Sequence, residues 1–198
     1  MTEAEKLYYE RRAVEYDDWY LGSGLFAERI RPGWHAEMES LQALLRSLSI
    51  GPVLDVACGT GFLTQHLPGD VVGLDHSLAM LKIARKRLAG GVLRGDALRL
   101  PFHARAFGCV VAGHFYGHLD GQVRARFLAE ARRVGRHILI IDAALRDDVA
   151  SSGEQTRVLE DGSRHMVYKR YFTPAQLVSE LGQGRVLHAG RWFVVVLA

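Results

Sequence analysis

The sequence predicts an α/β domain in which helices cover both faces of a mostly parallel sheet. Short apolar runs of strand character alternate with amphipathic helical segments through the middle of the chain. Gly59 and Gly61 follow the first apolar run, and Asp75 and Asp96 end the second and third. Because glycine lets a ligand approach the backbone, this arrangement predicts a nucleotide-type site at the carboxyl ends of the strands.

The opening segment, residues 3–20, is polar and rich in tyrosine, and it predicts one helix that ends at "LGSG". A second helix is expected over residues 36–48, where Met38, Leu41, Leu45 and other apolar residues recur at spacings of three and four. Gly51 and Pro52 end this helix.

The central segment alternates strands and helices, which implies parallel strands joined by right-handed crossovers. The first strand begins at Val53, and Ser77 caps the helix that follows the second. Further strands are expected at 70–75, 91–96, 107–113 and 136–142, and helices at 77–89 and 121–134.

The pattern changes beyond residue 150. Two alternating runs flank Asp161 and Gly162, which predicts a β-hairpin over residues 156–172. Thr173 and Pro174 then begin a short helix, and the last fourteen residues predict a second hairpin that turns near Gly190.

Composition limits the classes of function. The chain has 198 residues, 48% hydrophobic and 24% charged, as in an ordinary globular domain, and its net charge of +3 is not concentrated in one run. This balance permits a nucleic-acid partner but does not argue for one. No apolar run suggests a signal peptide or a membrane span, so we expect a cytoplasmic protein. Cys58 and Cys109 lie beside apolar runs and are expected to be buried free thiols; no metal site is predicted.

The residues around the glycines separate the nucleotide classes. A dinucleotide fingerprint needs a third glycine, and Thr64 stands there instead. Asp55 lies inside an apolar strand, where a carboxylate is costly unless it meets a cation or several donors; an ammonium group would suit it. Asp75 is placed to accept from ribose hydroxyls, although its spacing also fits a nicotinamide-dependent dehydrogenase.

Four ordered motifs carry a family resemblance: "VLDVACGTG", "VVGLDHSLAMLKIAR", "GDALRLPF" and "FGCVVAGHFYGHL". Together they resemble the class I S-adenosylmethionine-dependent methyltransferases, especially the small-molecule subgroup similar to the ubiquinone and menaquinone biosynthesis methyltransferases. The resemblance covers residues 36–198, with Ala57 where many relatives carry glycine. It implies a Rossmann-like seven-stranded sheet with an antiparallel last strand, S-adenosyl-L-methionine as cofactor and S-adenosyl-L-homocysteine as product.

The resemblance also implies a cofactor site. Ala57, Cys58, Gly59 and Gly61 would line the methionine portion, with Asp55 orienting its ammonium group. Asp75 would hold the ribose hydroxyls, and His76 would lie against the adenine or the ribose. Asp96 and the Ala97 backbone would contact the adenine, and Gly113 would face the methionine and its methyl group.

Histidine is expected to supply the base if the acceptor must lose a proton. His114 is the first candidate and His118 the second, with Tyr116 orienting the acceptor. A surface or capping role is the alternative for each of the three.

The resemblance implies one methyltransferase domain over residues 1–198, in three parts. Residues 1–35, which include "EYDDWY", would form an N-terminal lid, with Tyr16 in contact with the cofactor. Residues 36–150 would form the cofactor-binding half, and residues 151–198 would form a hairpin cover and the closing strands. In the hairpin, the candidate substrate contacts, which fit a solvated face equally well, are Arg157, Arg164, Tyr168, Arg170 and Tyr171.

The predicted function is methyl transfer to an unidentified small molecule by in-line displacement, in a monomer or homodimer without a membrane partner. Three alternatives stay open: a dehydrogenase, an RNA or protein methyltransferase, and a nonenzymatic S-adenosylmethionine-binding protein. The chain has no Asn-Pro-Pro-aromatic tetrad and no appended nucleic-acid module, which argues against methylation of nucleic-acid bases.

Overall fold

Seven strands form one twisted sheet in the computed structural model, which describes residues 3–198. The first five are β1 Val53–Val56, β2 Val71–Asp75, β3 Val92–Arg94, β4 Phe107–Gly113 and β5 Gly135–Ala143. A separate hairpin follows, formed by β6 Ser152–Val158 and β7 Arg164–Arg170, and the sheet is completed by β8 Arg185–Ala189 and β9 Phe193–Leu197.

The strand order is β3-β2-β1-β4-β5-β9-β8, and β9 runs antiparallel to both of its neighbours. The predicted seven-stranded, mostly parallel sheet with an antiparallel last strand is therefore confirmed. All four residues of β1 are buried, and Asp55 is paired with Gly73 on one side and Val111 on the other. The sheet thus carries Asp55 in its centre, near the carboxyl end of β1.

Six helices accompany these strands in the described part of the chain: α1 Glu3–Arg12, α2 Asp18–Leu21, α3 Trp34–Ser47, α4 Leu78–Ala84, α5 Gly121–Val134 and α6 Pro174–Glu180. One apolar cluster includes Phe127 of α5 and Leu177 of α6 together with sheet residues, and a second includes Leu41 and Leu45 of α3. Helices therefore cover both faces of the sheet, as predicted. The expected caps at Ser77 and Thr173 are both present.

Three boundaries differ from the predictions by more than two residues. The segment 3–20 is not one helix, because a turn separates α1 from α2. Helix α4 ends at Ala84, and Arg87 in the following turn donates to the Thr60 carbonyl oxygen at 3.0 Å. The hairpin begins at Ser152 and turns at Asp161 and Gly162 as expected. Residues 1 and 2 of the predicted lid lie outside the described residues.

Over residues 3–198, no helix combines the length and apolar character needed to cross a membrane.

Candidate active site

The turn after β1 brings the backbone of three residues into positive φ: Ala57 at 59°, Gly59 at 56° and Gly61 at 75°. The Gly59 N–H donates to Asp75 Oδ2 at 2.9 Å, which ties the turn to the end of β2. A Cβ atom at Gly59 would lie 3.3 Å from the ring of Tyr16. Glycine is therefore required here both for the backbone conformation and for the close approach of the N-terminal segment.

Asp55 is a buried carboxylate with an unmet hydrogen-bonding capacity. The Thr64 hydroxyl donates to Oδ2, whereas Oδ1 is buried and accepts from no group that the structure describes. Burial, with a smaller contribution from the charge of Asp75, raises the pKa of Asp55 to about 7, while the Thr64 hydrogen bond opposes the shift. An incoming ammonium donor would satisfy Oδ1 and favour the charged carboxylate.

Asp75 ends β2 with both oxygens engaged by the backbone. Oδ1 accepts from the Ser77 N–H at 2.9 Å and Oδ2 from Gly59, while burial raises the pKa of this carboxyl. His76 Nδ1 lies 3.3 Å from Asp75 Oδ1, and its Nε2 is buried without a partner among the described residues. Asp75 Oδ2, which accepts from Gly59, retains a lone pair for a ligand hydroxyl.

A cavity of about 480 Å³ lies beside this carboxylate and unites the residues predicted to hold the adenosine. Ala57, Asp75, His76, Asp96 and Ala97 all line it. The Asp96 Oδ1 atom accepts from the Leu98 N–H at 2.9 Å, which fixes the turn that carries it.

Two further cavities continue from the first. A narrow one of about 40 Å³ shares Ala57, Asp75 and His76 with the 480 Å³ cavity and adds Gly59 and Gly113. The narrow cavity shares Tyr9, Tyr16 and His114 with a cavity of about 410 Å³ beneath the N-terminal segment. Five aromatic residues of that segment line the 410 Å³ cavity: Tyr8, Tyr9, Tyr16, Trp19 and Tyr20.

His114 lies where the narrow cavity meets the 410 Å³ cavity. It follows β4 with a positive φ of 52°, and its ring packs 4.9 Å from Trp19 and 5.4 Å from Phe193 between centroids. Burial lowers the pKa of His114 to about 3, so the imidazole is neutral near pH 7. Its Nε2 atom is buried and has no partner within residues 3–198.

The other two predicted catalytic residues are placed differently. His118 lines the 410 Å³ cavity, with its Nδ1 2.7 Å from the Tyr168 carbonyl oxygen, and burial lowers its pKa well below the ordinary value. Tyr116 does not line that cavity: its hydroxyl donates to Glu180 at 2.9 Å and its ring packs against Phe172. The two histidines therefore line the same cavity, and Tyr116 lies outside its lining.

Residues 53–137 match the "Methyltransferase domain" family. Among curated relatives, the demethylmenaquinone methyltransferase of Thermotoga maritima is 40% identical over 95 residues, covering 44% of this chain and 41% of the relative. The dTDP-3-amino-3,6-dideoxy-alpha-D-glucopyranose N,N-dimethyltransferase of Streptomyces fradiae is 39% identical over 112 residues, covering 54% and 43%. The chain thus spans less than half the length of each.

Residues 53–137 are therefore similar to a methyltransferase domain, and solved structures extend the likeness in fold to nearly the whole chain. The structure of the DhpI–SAM–HEP complex resembles this one with a TM-score of 0.77 at 23% identity, covering 98% of this chain and 95% of that one. A methyltransferase from Thermotoga maritima, named as a possible histamine N-methyltransferase, gives a TM-score of 0.65 at 21% identity, covering 96% of each chain. At these identities the two likenesses show the shared fold.

Cys58 occupies the glycine turn of the methyltransferase domain, but its side chain packs away from the cavities. It joins a small apolar cluster with Leu81, Ala84 and Leu88. Cys58 and Cys109 are both free and buried, as predicted. Contact of Cys58 with a cofactor would therefore be through its backbone.

Two carboxylates that the sequence did not single out dock the N-terminal segment onto the methyltransferase domain. Glu10 accepts from the Ser77 hydroxyl at 2.6 Å and from the Ala79 N–H at 3.0 Å, at the start of α4. Asp17 accepts from the Thr60 hydroxyl at 2.5 Å within the glycine turn. An acidic residue in a polar segment does not reveal, from the sequence alone, which distant group it contacts.

Asp142, at the carboxyl end of β5, is a further buried carboxylate. It accepts from Lys169 at 2.6 Å and from the Gly117 and Ala143 N–H groups at 2.7 Å each. The nearby Lys169 ammonium lowers the pKa of Asp142 despite its burial. The sequence offered one signal for Asp142, because it ends an apolar strand as Asp75 does. Its hydrogen bond with Lys169 holds that side chain in the wall of the 410 Å³ cavity.

Proposed function

We propose that the protein transfers a methyl group from S-adenosylmethionine to a small molecule. The observation that carries this proposal is the series of three cavities that share lining residues at the carboxyl ends of β1, β2 and β4. Asp55, whose buried Oδ1 has no partner in the described chain, lies two residues before Ala57, which lines two of these cavities. Open α/β sheets bind ligands at this edge. Relatives named as methyltransferases, and the fold shared with the SAM and SAH complexes of DhpI, support the same cofactor.

The cofactor contacts follow from the unmet hydrogen-bonding groups. Asp55 Oδ1 would accept from the methionine ammonium group, and Asp75 would accept from the ribose hydroxyls. His76 and Asp96 would meet the adenosine in the 480 Å³ cavity, beside the Ala97 backbone. Each assignment uses a polar group that lines the cavity or, for Asp55, a buried oxygen of β1 without a partner in the described chain.

When bound, S-adenosylmethionine would supply an activated methyl group to a lone pair of the acceptor. The residues of the chain have to align the acceptor and exclude water. Tyr16 lies against Gly59, and Trp19 lies against His114, so the N-terminal aromatics enclose the point where the cavities meet.

His114 is placed at that point as a neutral hydrogen-bond acceptor. Its free Nε2 would accept from an acceptor hydroxyl or amino group and so orient a lone pair toward the methyl carbon. A pKa of about 3 makes His114 a weak general base. We therefore propose that His114 positions the methyl acceptor and that His118 forms part of the wall of the 410 Å³ cavity.

The division of the domain is part of the proposal. Residues 1–35 would act as the lid, 36–150 as the cofactor-binding half and 151–198 as cover and closing strands. Arg157 and Tyr171 of the hairpin region line the 410 Å³ cavity, whereas Arg170 is paired with Glu180 at 2.6 Å. The cover thus contributes Arg157, Tyr171 and the anchored Lys169 to the acceptor side.

The test is a labelling experiment with S-adenosylmethionine carrying a labelled methyl group. The protein is incubated separately with a small-molecule metabolite extract, with total RNA and with a protein extract. The proposal expects label in the small-molecule fraction, and loss of that label with the Asp75→Ala variant. Efficient labelling of RNA or protein, with the metabolites unlabelled, would overturn the small-molecule assignment; no label in any fraction would point to a nonenzymatic binding protein.

A further inference from the structure

The wall of the 410 Å³ cavity carries a strong excess of positive charge. Six basic side chains line it and one acidic side chain, Asp148, opposes them. The whole chain has a net charge of only +3. The excess is therefore a local property of this cavity. The six basic residues are Arg12, Arg29, Arg31, Arg146, Arg157 and Lys169.

Two of these cations are neutralised by the protein itself. Lys169 is paired with the buried Asp142 at 2.6 Å, and Arg146 is paired with Asp148 at 2.8 Å. The other four arginines form no ion pair with any residue in the described range 3–198. Their positive charge is available to a ligand.

Three of the four arginines, Arg12, Arg29 and Arg31, contact aromatic rings or backbone rather than carboxylates. Arg12 donates to the Tyr8 hydroxyl and its guanidinium carbon lies 5.3 Å from the centroid of the Tyr16 ring. Arg31 donates to the Trp19 carbonyl oxygen at 2.7 Å. Stacked guanidinium groups of this kind keep their remaining N–H donors free and directed.

The arginines also lie close enough to disturb one another. Burial and the positive charges of Arg157 and Arg12 lower the pKa of Arg29. Glu15, whose charge reaches Arg12, accepts from the Glu160 N–H at 3.1 Å and forms no ion pair with an arginine in the described chain. Mutual repulsion of this kind is relieved when an anion enters between the guanidinium groups.

We propose that the methyl acceptor is a small organic anion whose carboxylate, phosphonate or phosphate group is held by Arg12, Arg29 and Arg157. This inference rests on the proposed methyl transfer and names the class of its acceptor. Arg12 connects the anion site to the cofactor side, because it stacks on Tyr16, and Tyr16 lies against Gly59. The planar fork of N–H donors on arginine matches two oxygens of such a group.

The rest of the acceptor is expected to be compact and apolar. A cavity of about 410 Å³ holds a small molecule, and aromatic rings supply most of the wall that is not basic. The aromatic lining residues are Tyr8, Tyr9, Tyr16, Trp19, Tyr20, Phe26, Trp34, Tyr171 and Trp192.

The test uses calorimetric titration of the SAH-saturated protein with three probes of similar size: benzoate, phenylphosphonate and the neutral benzamide. At least one of the two anions should bind at least 10-fold more tightly than benzamide, and its affinity should fall as NaCl is raised. The ratio between benzoate and phenylphosphonate tells which oxyanion the site prefers.

Matched variants tie that binding to the arginines. Arg157→Gln and Arg29→Gln should each weaken the preferred anion about 10-fold or more, whereas Arg164→Gln should not. Arg164 is an exposed arginine of the same hairpin that does not line the cavity. The affinity for S-adenosylhomocysteine should be the same in all three variants.

Two results would overturn the anionic acceptor: benzamide binding as tightly as both anions, or Arg157→Gln and Arg164→Gln giving the same anion affinity. In either case, normal binding of S-adenosylhomocysteine would leave the proposed methyl transfer standing. Failure of the unaltered protein to bind S-adenosylhomocysteine would instead remove the proposed function, whatever the anion titrations gave.

Discussion

Asp17 and Arg87 form an ion pair at 2.6 Å across 70 residues of the chain. Arg87 also donates to the Thr60 carbonyl oxygen, and the Thr60 hydroxyl donates to Asp17. These three residues therefore close a ring of contacts between the N-terminal segment, the glycine turn and the turn that follows α4. The N-terminal segment that we propose as a lid is thus held directly on the loop that we assign to the cofactor.

We expect Asp17→Asn to loosen the N-terminal segment without unfolding the sheet. The pair is partly exposed, with 21% and 26% side-chain exposure, so its loss costs about 1 kcal/mol or several-fold in lid opening. Limited trypsin digestion should show severalfold faster cleavage at Arg11, Arg12, Arg29 and Arg31. The control Glu130→Gln, which breaks a comparable pair with Arg133 on α5, should leave these rates unchanged. Equal cleavage in all three proteins would show that Asp17 does not hold the lid.

Cofactor binding should become tighter as the pH rises through 7. In the free protein Asp55 has a pKa of about 7, so at pH 6 it is mostly protonated; an ammonium partner requires the carboxylate, and binding then releases a proton. Each pH unit below 7 should weaken the affinity for S-adenosylhomocysteine by up to about tenfold, or 1.4 kcal/mol. Calorimetric titrations between pH 5.5 and 8 measure how the affinity for S-adenosylhomocysteine changes with pH.

Asp75 also has a raised pKa and contributes with the same sign, so the Asp55→Asn variant separates the two carboxylates. That variant should lose part of the pH slope and bind about 10 to 100-fold more weakly at pH 8, because a charge-assisted hydrogen bond is lost. An unaltered slope in Asp55→Asn would show that the ammonium group lies elsewhere.

Asp75→Ala should weaken S-adenosylhomocysteine by about 1.5 to 3 kcal/mol, because hydrogen bonds from ribose hydroxyls to a carboxylate are lost. Since Asp75 also accepts from the Gly59 and Ser77 N–H groups, part of the loss should appear as a lower melting temperature. Asp70→Ala, at the exposed opposite end of β2, is the matched control. Unchanged affinity in Asp75→Ala would place the ribose away from β2.

Replacement of His114 should distinguish a positioning role from a basic one. Because its pKa is about 3, turnover should show no titration of His114 between pH 5.5 and 8. His114→Asn keeps a hydrogen-bonding side chain that tolerates positive φ and should retain more activity than His114→Ala. A pH-rate limb near 6.5 that disappears in His114→Asn would instead identify His114 as the base.

The lowered pKa of His114 also makes the free energy of unfolding depend on pH. His114 has an ordinary pKa of 6.5 and a folded pKa of about 3, so the unfolded chain binds the extra proton and stability is lost as the pH falls below 6.5. Asp55 acts in the opposite direction: its raised folded pKa makes its contribution to stability decline as the pH rises from about 4 to about 7. Thermal unfolding of His114→Asn should therefore depend less on acid than that of the unaltered protein. A melting temperature that falls equally in both proteins would contradict this.

The central part of the fold was predictable because its signals are local. Helix α5 was expected over residues 121–134 and occupies Gly121–Val134, with Asp120 as its cap. Strand β4 likewise begins and ends where the apolar run does. Buried parallel strands and capped amphipathic helices encode their own bounds.

The N-terminal segment was less predictable because distant contacts fix its path. The turn between α1 and α2 carries Glu15, which accepts from the Glu160 N–H, and Asp17, which meets Thr60 and Arg87. Local helical propensity is overridden by such contacts. The hydrogen bond from the Tyr116 hydroxyl to Glu180 on α6 is another distant contact that local sequence does not reveal.

Calorimetric titration of the purified protein with S-adenosylhomocysteine and, separately, with NAD tests the central claim most directly. We predict micromolar-range binding of S-adenosylhomocysteine and far weaker binding of NAD, because the polar groups at the carboxyl ends of the strands fit an ammonium group, a ribose and one adenine. Absence of heat with S-adenosylhomocysteine under conditions where NAD binds would contradict it.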